Sequence, residues 1–479
     1  MTPDEFRTHG YQLIDWITDY LEHVETQRVS ADVQPGDVRA LLPEHPPRET
    51  EPFDAVLADL DRIVVPGLTH WQHPSFFAYY PANASGPAIL GDLLSSGLGV
   101  QGMLWATSPA CTELETVVVD WFAELLGLPA HFRTDGAGGG VIQDSASSAS
   151  LLAILAALHR SSDGAITERG LTGRHILYVS TETHSSLAKG ARIAGIGAEN
   201  VRAVGVDPKT LAMDPAELDS AIAEDVAAGA VPVLVCATVG TTSTAAVDPV
   251  RAIGEVCRRH GVWLHVDAAY AGVAAVCPEL RWLNDGVAEY ADSYATNPHK
   301  WLLTNFDCTV MWVADRNPLV GALAVHPEYL RNAATSSGSV VDYRDWQVSL
   351  GRRFRALKLW AVLRWYGAVG LRSHIHAGLA QAAELASWVA ADPDFELHEP
   401  RTLGLVCFRP RWPSLPPAEA DAATLRLMES LNASGDLYLT HTKVGGRVVL
   451  RMALGGTRTE ARHVRAAWDT IRSGMTSAL

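Results

Sequence analysis

Between about residues 85 and 375 the chain repeats one pattern: a short apolar run, then a stretch with helical periodicity. The clearest runs are His175-Ile176-Leu177-Tyr178-Val179, Pro232-Val233-Leu234-Val235-Cys236-Ala237 and Val262-Trp263-Leu264-His265-Val266. A strand with one wet face alternates polar and apolar residues, and these runs do not. Strands apolar on both faces need cover on both, which intervening helices supply. The pattern predicts an α/β fold around a mostly parallel central sheet. Such sheets bind ligands at the carboxyl ends of their strands. Asp267, Thr242 and Ser180 to His184 fall at those ends.

Asp267 lies thirty-three positions before Lys300, which follows His299 and precedes Trp301-Leu302-Leu303. A lone lysine is usually a solvated charge, but this one has apolar company. A lysine that loses its proton in a dry pocket can form a Schiff base with an aldehyde. An aspartate facing the same molecule can hold a pyridine nitrogen protonated, and pyridoxal phosphate needs both. His265-Val266-Asp267 also admits a metal reading. Strand alternation puts His265 and Asp267 on one face, yet supplies no third ligand, so no metal is expected.

A phosphate needs its own cradle. Gly136-Ala137-Gly138-Gly139-Gly140 leads into Val141-Ile142-Gln143-Asp144-Ser145-Ala146-Ser147-Ser148-Ala149-Ser150, then the helical run from Leu151 to Leu158. Small hydroxyl residues at a helix start leave backbone N–H groups free at the positive dipole end. An ordinary serine cap is the alternative. A dinucleotide fingerprint from Gly136 fails because it needs glycine where Val141 stands.

With these motifs in place the chain resembles the group II pyridoxal-phosphate-dependent decarboxylases, closest to the aromatic-L-amino-acid decarboxylases. The matching segments run nearly end to end. They include Pro66 to Trp71, Phe76 to Pro81, Ser108 to Glu115, Thr183-His184-Ser185-Ser186, Gly240-Thr241-Thr242, His265 to Gly272, Asn297 to Leu302, Asn305 to Cys308 and Asp342-Tyr343-Arg344. The resemblance implies a fold type I (aspartate-aminotransferase-like) architecture. Its parts would be an N-terminal helical dimerisation segment (1–84), a large cofactor domain (85–375) and a smaller C-terminal α/β domain (376–479). It also implies a homodimer with active sites at the interface.

By the same resemblance Lys300 carries the cofactor, Asp267 pairs with the pyridinium and Ala269 packs on the ring. Ser145, Ala146, Ser147, Asn297 and His299 surround the phosphate, and Thr242 lies nearby. His184 stacks on the ring. Tyr343, just after the small polar stretch Arg331 to Ser339, is the expected lid tyrosine that protonates the α-carbon. Trp71, Tyr79, Tyr80, Pro81 and Ala82 would contact substrate, with Gln101 and Met103 from the partner.

The chain departs from the pattern in places. Tyr80, Ala82, Gln101 and Met103 stand where animal relatives usually have phenylalanine, threonine, isoleucine and phenylalanine, and Asp144 replaces a glycine beside the cradle. Ala82 and Met103 leave room for an indole. The expected reaction is therefore α-decarboxylation of tryptophan or 5-hydroxytryptophan, phenylalanine, tyrosine or dopa to the amine. The alternatives are an aldehyde synthase and a noncatalytic relative. The Asp144 side chain is expected to point away from the phosphate or to cap the helix.

The net charge of −16 argues against nucleic acid and anionic membranes as partners. No apolar run reaches the roughly 18 residues of a membrane span. Met1 to Phe6 lacks a signal-peptide core. The six cysteines form no C-x-x-C pair and read as reduced thiols, so a cytoplasmic setting is expected.

Overall fold

The computed structural model describes residues 1–325, 332–336 and 340–475. Seven strands form one sheet: β1 Gly139–Gln143, β2 His175–Ser180, β3 Val201–Val204, β4 Val231–Thr238, β5 Trp263–Asp267, β6 Ser293–Thr296 and β7 Thr309–Val313. Their order is β1-β7-β6-β5-β4-β2-β3. β3, β2, β4, β5 and β6 pair in parallel, while β7 runs antiparallel to both β6 and β1. The expected α/β class and mostly parallel sheet are thus observed. The runs read from sequence became β2, β4 and β5, each buried over most of its length.

Because β1 opposes β7 and β7 opposes β6, β1 points the same way as the parallel strands. Its carboxyl end therefore opens on the same edge of the sheet as those of β2, β4, β5 and β6. The glycine run ahead of it serves packing. A Cβ on Gly138 would sit 2.2 Å from the carbonyl oxygens of His131 and Val313. The helix expected from Leu151 starts earlier, at Ala146, and runs to Ser161. Val141, Leu152, Leu177, Leu234 and Trp263 meet in the core between this helix and the sheet.

Contacts divide the chain into two compact units. One holds residues 82–379 and 399–405; the other holds 1–81, 380–398 and 406–479. The second unit has its own four-stranded sheet, ordered β10-β11-β9-β8. Its strands are β8 Phe395–His398, β9 Leu405–Pro410, β10 Thr440–Val444 and β11 Arg447–Ala453. Phe77, Leu385, Phe408, Leu450 and Trp468 form its core. Thr2 caps the first helix, Pro3–His23, by accepting from the Glu5 amide. The helix Ala356–Ala391 breaks its dihedral pattern at Gly367 and passes from one unit into the other.

Candidate active site

Strand pairing builds the site. Asp267, the last residue of β5, lies opposite Thr238 on β4 and Ala295 on β6. It is buried, and its Oδ1 accepts from the Ala269 amide at 3.0 Å. A buried carboxylate needs cationic or N–H partners. A protonated pyridine nitrogen is such a partner.

Lys300 is held close by. The chain leaves β6, Asn297 donates its amide to the Ala269 carbonyl at 3.1 Å, and Pro298–Trp301 turns once as a helix. Trp301 stacks on Tyr270 with ring centres 5.1 Å apart, which fixes the turn from below. Burial lowers the Lys300 pKa, and the Asp267 carboxylate acts in the opposite sense. Desolvation thus wins, favouring the neutral amine that attacks an aldehyde. His184, four residues past β2, keeps an exposed edge while its Nδ1 accepts from the Ser186 amide at 3.2 Å. Desolvation lowers its pKa; Asp267 raises it and Lys300 lowers it, so the field of both reaches the ring.

The phosphate end is equally specific. Ser145 caps the helix Ala146–Ser161 by accepting from Ser148 N at 3.2 Å. The amides of Ala146 and Ser147 in its first turn have no partner among the described residues. Asp144 is exposed and does not cap the helix. Burial, helped by the Lys300 charge, pushes the His299 pKa down to about 4. Its Nδ1 accepts from the Cys308 amide at 3.0 Å, so the neutral ring carries its proton on Nε2. Asn297 holds the neighbouring position, its Oδ1 accepting from Thr309 Oγ1 at 2.9 Å. Free amides at a helix start and hydroxyls around them fit a phosphate, while His299 Nε2 lies 3.3 Å from Asn297 Nδ2.

Thr242 is exposed beyond β4, and Ala269 is buried after β5. Of the expected substrate residues, Ala82, Gln101 and Met103 belong to the unit of the sheet. Gln101 Oε1 accepts from Arg352 N at 2.5 Å, so its carbonyl is engaged inside its own chain. Trp71, Tyr79, Tyr80 and Pro81 belong to the other unit. There Trp71 and Tyr79 stack at 5.6 Å, and Tyr80 is buried with the Arg451 guanidinium 5.4 Å from its ring centre.

One expectation is corrected. Tyr343 is not on a lid. Its ring is buried in the main core beside Trp346, under the Arg352 guanidinium at 4.9 Å. Its hydroxyl lies 3.2 Å from Thr116 Oγ1, and burial pushes its pKa well above the usual phenol value. A phenol so enclosed is not placed to protonate a substrate. The small polar stretch ahead of it, Arg331 to Ser339, falls partly outside the described residues, at 331 and 337–339; Ala333–Ser336 form a short helical turn. The sequence reading also missed the buried Glu115 and Arg352 pair behind the cradle. The one cue was two charged residues embedded in otherwise apolar or family-like segments.

The conserved domain of pyridoxal-dependent decarboxylases matches residues 35–411. The chain belongs to this family. It is a carboxy-lyase whose cofactor is pyridoxal 5'-phosphate, on fold type I. The phenylacetaldehyde synthase of Arabidopsis thaliana is 46% identical over 473 residues, 98% of this chain and 96% of the relative. Tryptophan decarboxylase 2 of Oryza sativa subsp. japonica is 44% identical over 482 residues, 100% of this chain and 96% of the relative. The crystal structure of Oryza sativa TDC with PLP and tryptamine is similar over 100% of this chain and 99% of that one, at TM-score 0.96 and 43% identity. Among the described residues no helix is long and apolar enough to cross a membrane.

Proposed function

We propose that this decarboxylase acts on aromatic L-amino acids and releases the arylalkylamine and CO2. The full-length likeness to a rice enzyme whose structure carries PLP and tryptamine is the observation that carries the reading. Bound pyridoxal phosphate supplies an electron sink for the pair left when CO2 departs. Asp267 would pair with the pyridinium nitrogen and keep it protonated. The Ala146 and Ser147 amides, Ser145, Asn297 and His299 hold the phosphate. Lys300 offers the neutral amine that burial favours. His184 would cover one face of the ring and keep water from it, and Ala269 and Thr242 would border it.

Trp71, Tyr79, Tyr80, Pro81 and Ala82 enter the proposal as substrate contacts from family resemblance, and planar aromatic surface suits an aromatic side chain. Tryptophan and 5-hydroxytryptophan are favoured over phenylalanine, tyrosine and dopa because Ala82 and Met103 are small or pliant. A homodimer is part of the reading. Leu90, Leu93, Leu94 and Leu98, at helical spacing on Gly86–Leu98, are all at least 48% exposed, the kind of stripe a second subunit covers. Gln101 and Met103 follow that helix. Sedimentation at nanomolar protein reads the dimer directly. Six buried, free cysteines support a cytoplasmic setting.

The second reading, decarboxylation with oxidation to an aldehyde, is favoured by the Arabidopsis relative. Amine formation requires prompt protonation of the α-carbon. With Tyr343 enclosed, the other tyrosine in the sequence between β7 and the helix Ala356–Ala391 is Tyr329, outside the described residues, and the proposal gives it this role from its place in the sequence. The test is a one-pot competition among aromatic substrates, with CO2, amine, aldehyde and peroxide all measured. Amine equimolar with CO2, led by an indole substrate, is expected. Peroxide equimolar with CO2 would replace this reading with the aldehyde synthase, and a preference for glutamate would end the aromatic assignment.

A further inference from the structure

Away from the cofactor residues, three side chains of different chemistry converge. Cys277 Sγ, a carboxylate oxygen of Glu279 and a ring nitrogen of His376 all lie within 4.8 Å of one another. We propose that they form a binding site for a thiophilic divalent cation, zinc foremost. None of the three belongs to the candidate active site.

The backbone sets the cluster. Cys277 sits between the 3₁₀ segments Ala271–Val276 and Pro278–Asn284. Its amide donates to the Ala274 carbonyl at 3.0 Å, and its carbonyl accepts from Leu280 at 2.9 Å. Glu279 is therefore carried at a fixed offset. His376 comes from the long helix Ala356–Ala391, and its Nε2 lies 2.5 Å from Glu279 Oε1. Two independently packed elements thus present sulfur, nitrogen and oxygen to one point.

The donor set selects the ion. Thiolate and imidazole favour zinc over magnesium or calcium, which prefer all-oxygen shells. Donors on a tetrahedral zinc lie roughly 3.4–3.7 Å apart, from bond lengths near 2.0–2.3 Å. Side-chain rotations of about 1 Å would open the His376–Glu279 pair, now hydrogen-bonded, and bring the sulfur to this spacing. Cys277 forms the buried wall, while Glu279 and His376 are 57% and 52% exposed and leave an entry path and a fourth position for water.

The charges agree with a moderate affinity. Burial first, then Glu279, raises the Cys277 pKa to about 11, so at neutral pH the thiol is protonated before the ion arrives. Binding forms the S–metal bond, breaks S–H and releases that proton to water. Arg372 faces the cluster, with its Nε bound to the Val276 carbonyl at 2.7 Å. Its charge favours both anions and opposes the cation, so binding is weaker than at an all-cysteine site.

The experiment titrates the holoenzyme with Zn2+ in equilibrium dialysis and records zinc-edge X-ray absorption on the complex. One ion per chain with one sulfur ligand and about one proton released is expected. His376→Ala removes an exposed donor without disturbing the core and should weaken binding at least tenfold. Cys277→Ser should do the same and remove sulfur from the edge spectrum. Absence of stoichiometric binding overturns the proposal, as does binding unchanged in both variants or a spectrum without sulfur in the native protein.

Discussion

Glu115 and Arg352 are 237 positions apart and both buried, and their charges meet behind the cofactor cradle. Glu115 Oε1 accepts from Arg352 Nη2 and from Ile142 N at 2.7 Å. Arg352 also donates to the Ile142 carbonyl at 2.9 Å and to Gln347 Oε1 at 2.5 Å. Ile142 lies on β1, three residues before the capping Ser145. Arg352→Met would leave a carboxylate in the core with the Ile142 amide as its one remaining donor among the described residues. Breaking a buried pair from one side costs about 3–5 kcal/mol. Two stranded acceptors add about 1 kcal/mol each. The sum is comparable with the roughly 5–15 kcal/mol that holds a typical domain together. Glu115→Met strands the guanidinium at similar cost. The double replacement strands neither charge, only the Ile142 amide and carbonyl and Gln347 Oε1, and should come within about 3 kcal/mol of the native chain. Urea unfolding followed by tryptophan fluorescence gives the double-mutant cycle, and cofactor dialysis gives the Kd for pyridoxal phosphate. The singles should also bind the cofactor more weakly, since β1 delivers the cradle. If both singles are insoluble and the double folds, the reasoning holds. If the three changes are additive within about 0.5 kcal/mol, or the double fails while a single folds, the pair is not the knot described.

Tyr343→Phe should keep amine as the product and lose about 1 kcal/mol with the Thr116 contact, whereas Tyr329→Phe should raise peroxide and aldehyde; a peroxide assay on both decides, and the reverse pattern would restore Tyr343 as the donor. Acid should destabilise the fold below about pH 6.5, the ordinary histidine value. Burial pushes His265, His299 and His374 each down to about 4, so between those limits the unfolded chain binds three more protons at these sites. Buried Asp248, pushed up to about 6, opposes them below that pH by taking a proton in the folded state first. From these four groups stability rises with pH by a net of about two protons, roughly 3 kcal/mol per pH unit between about 4 and 6. A pH series of unfolding midpoints that is flat or inverted there would refute it.

Legibility in the sequence follows the range of the interaction. β2, β4 and β5 were readable because both of their faces are apolar, a property of five or six consecutive residues. β1 was not, since Gly139-Gly140 carries no strand signal and instead makes room for Trp346 and for Trp312 of β7. Asp267 was readable because it ends an apolar strand, where the fold puts function, and Lys300 because its neighbours Trp301-Leu302-Leu303 are apolar. Tyr343 was misread because nearness in sequence to a small polar stretch was taken for membership of it. What encloses its ring is partly local, Trp346 and Arg352, and partly more than a hundred positions away, Thr116 among it. Glu115 and Arg352 were invisible for the same reason.

The choice between amine and aldehyde lies at the far end of that scale. It turns on whether a proton reaches one carbon before oxygen does, so a single hydroxyl can decide it. Global likeness averages over the whole chain, and relatives named for opposite products stand at 46% and 44% identity. A two-point gap cannot report on one oxygen atom. Burial can, in one direction: Tyr343 is withdrawn from the contest by the core around it, whatever the family name suggests. On the function proposed above the decision passes to Tyr329, which lies outside the described residues and whose hydroxyl a phenylalanine removes. Cofactor binding and CO2 release in Tyr329→Phe should therefore stay near native while the fate of the α-carbon changes. A variant that lost CO2 release as well would mean that this tyrosine acts before the proton step.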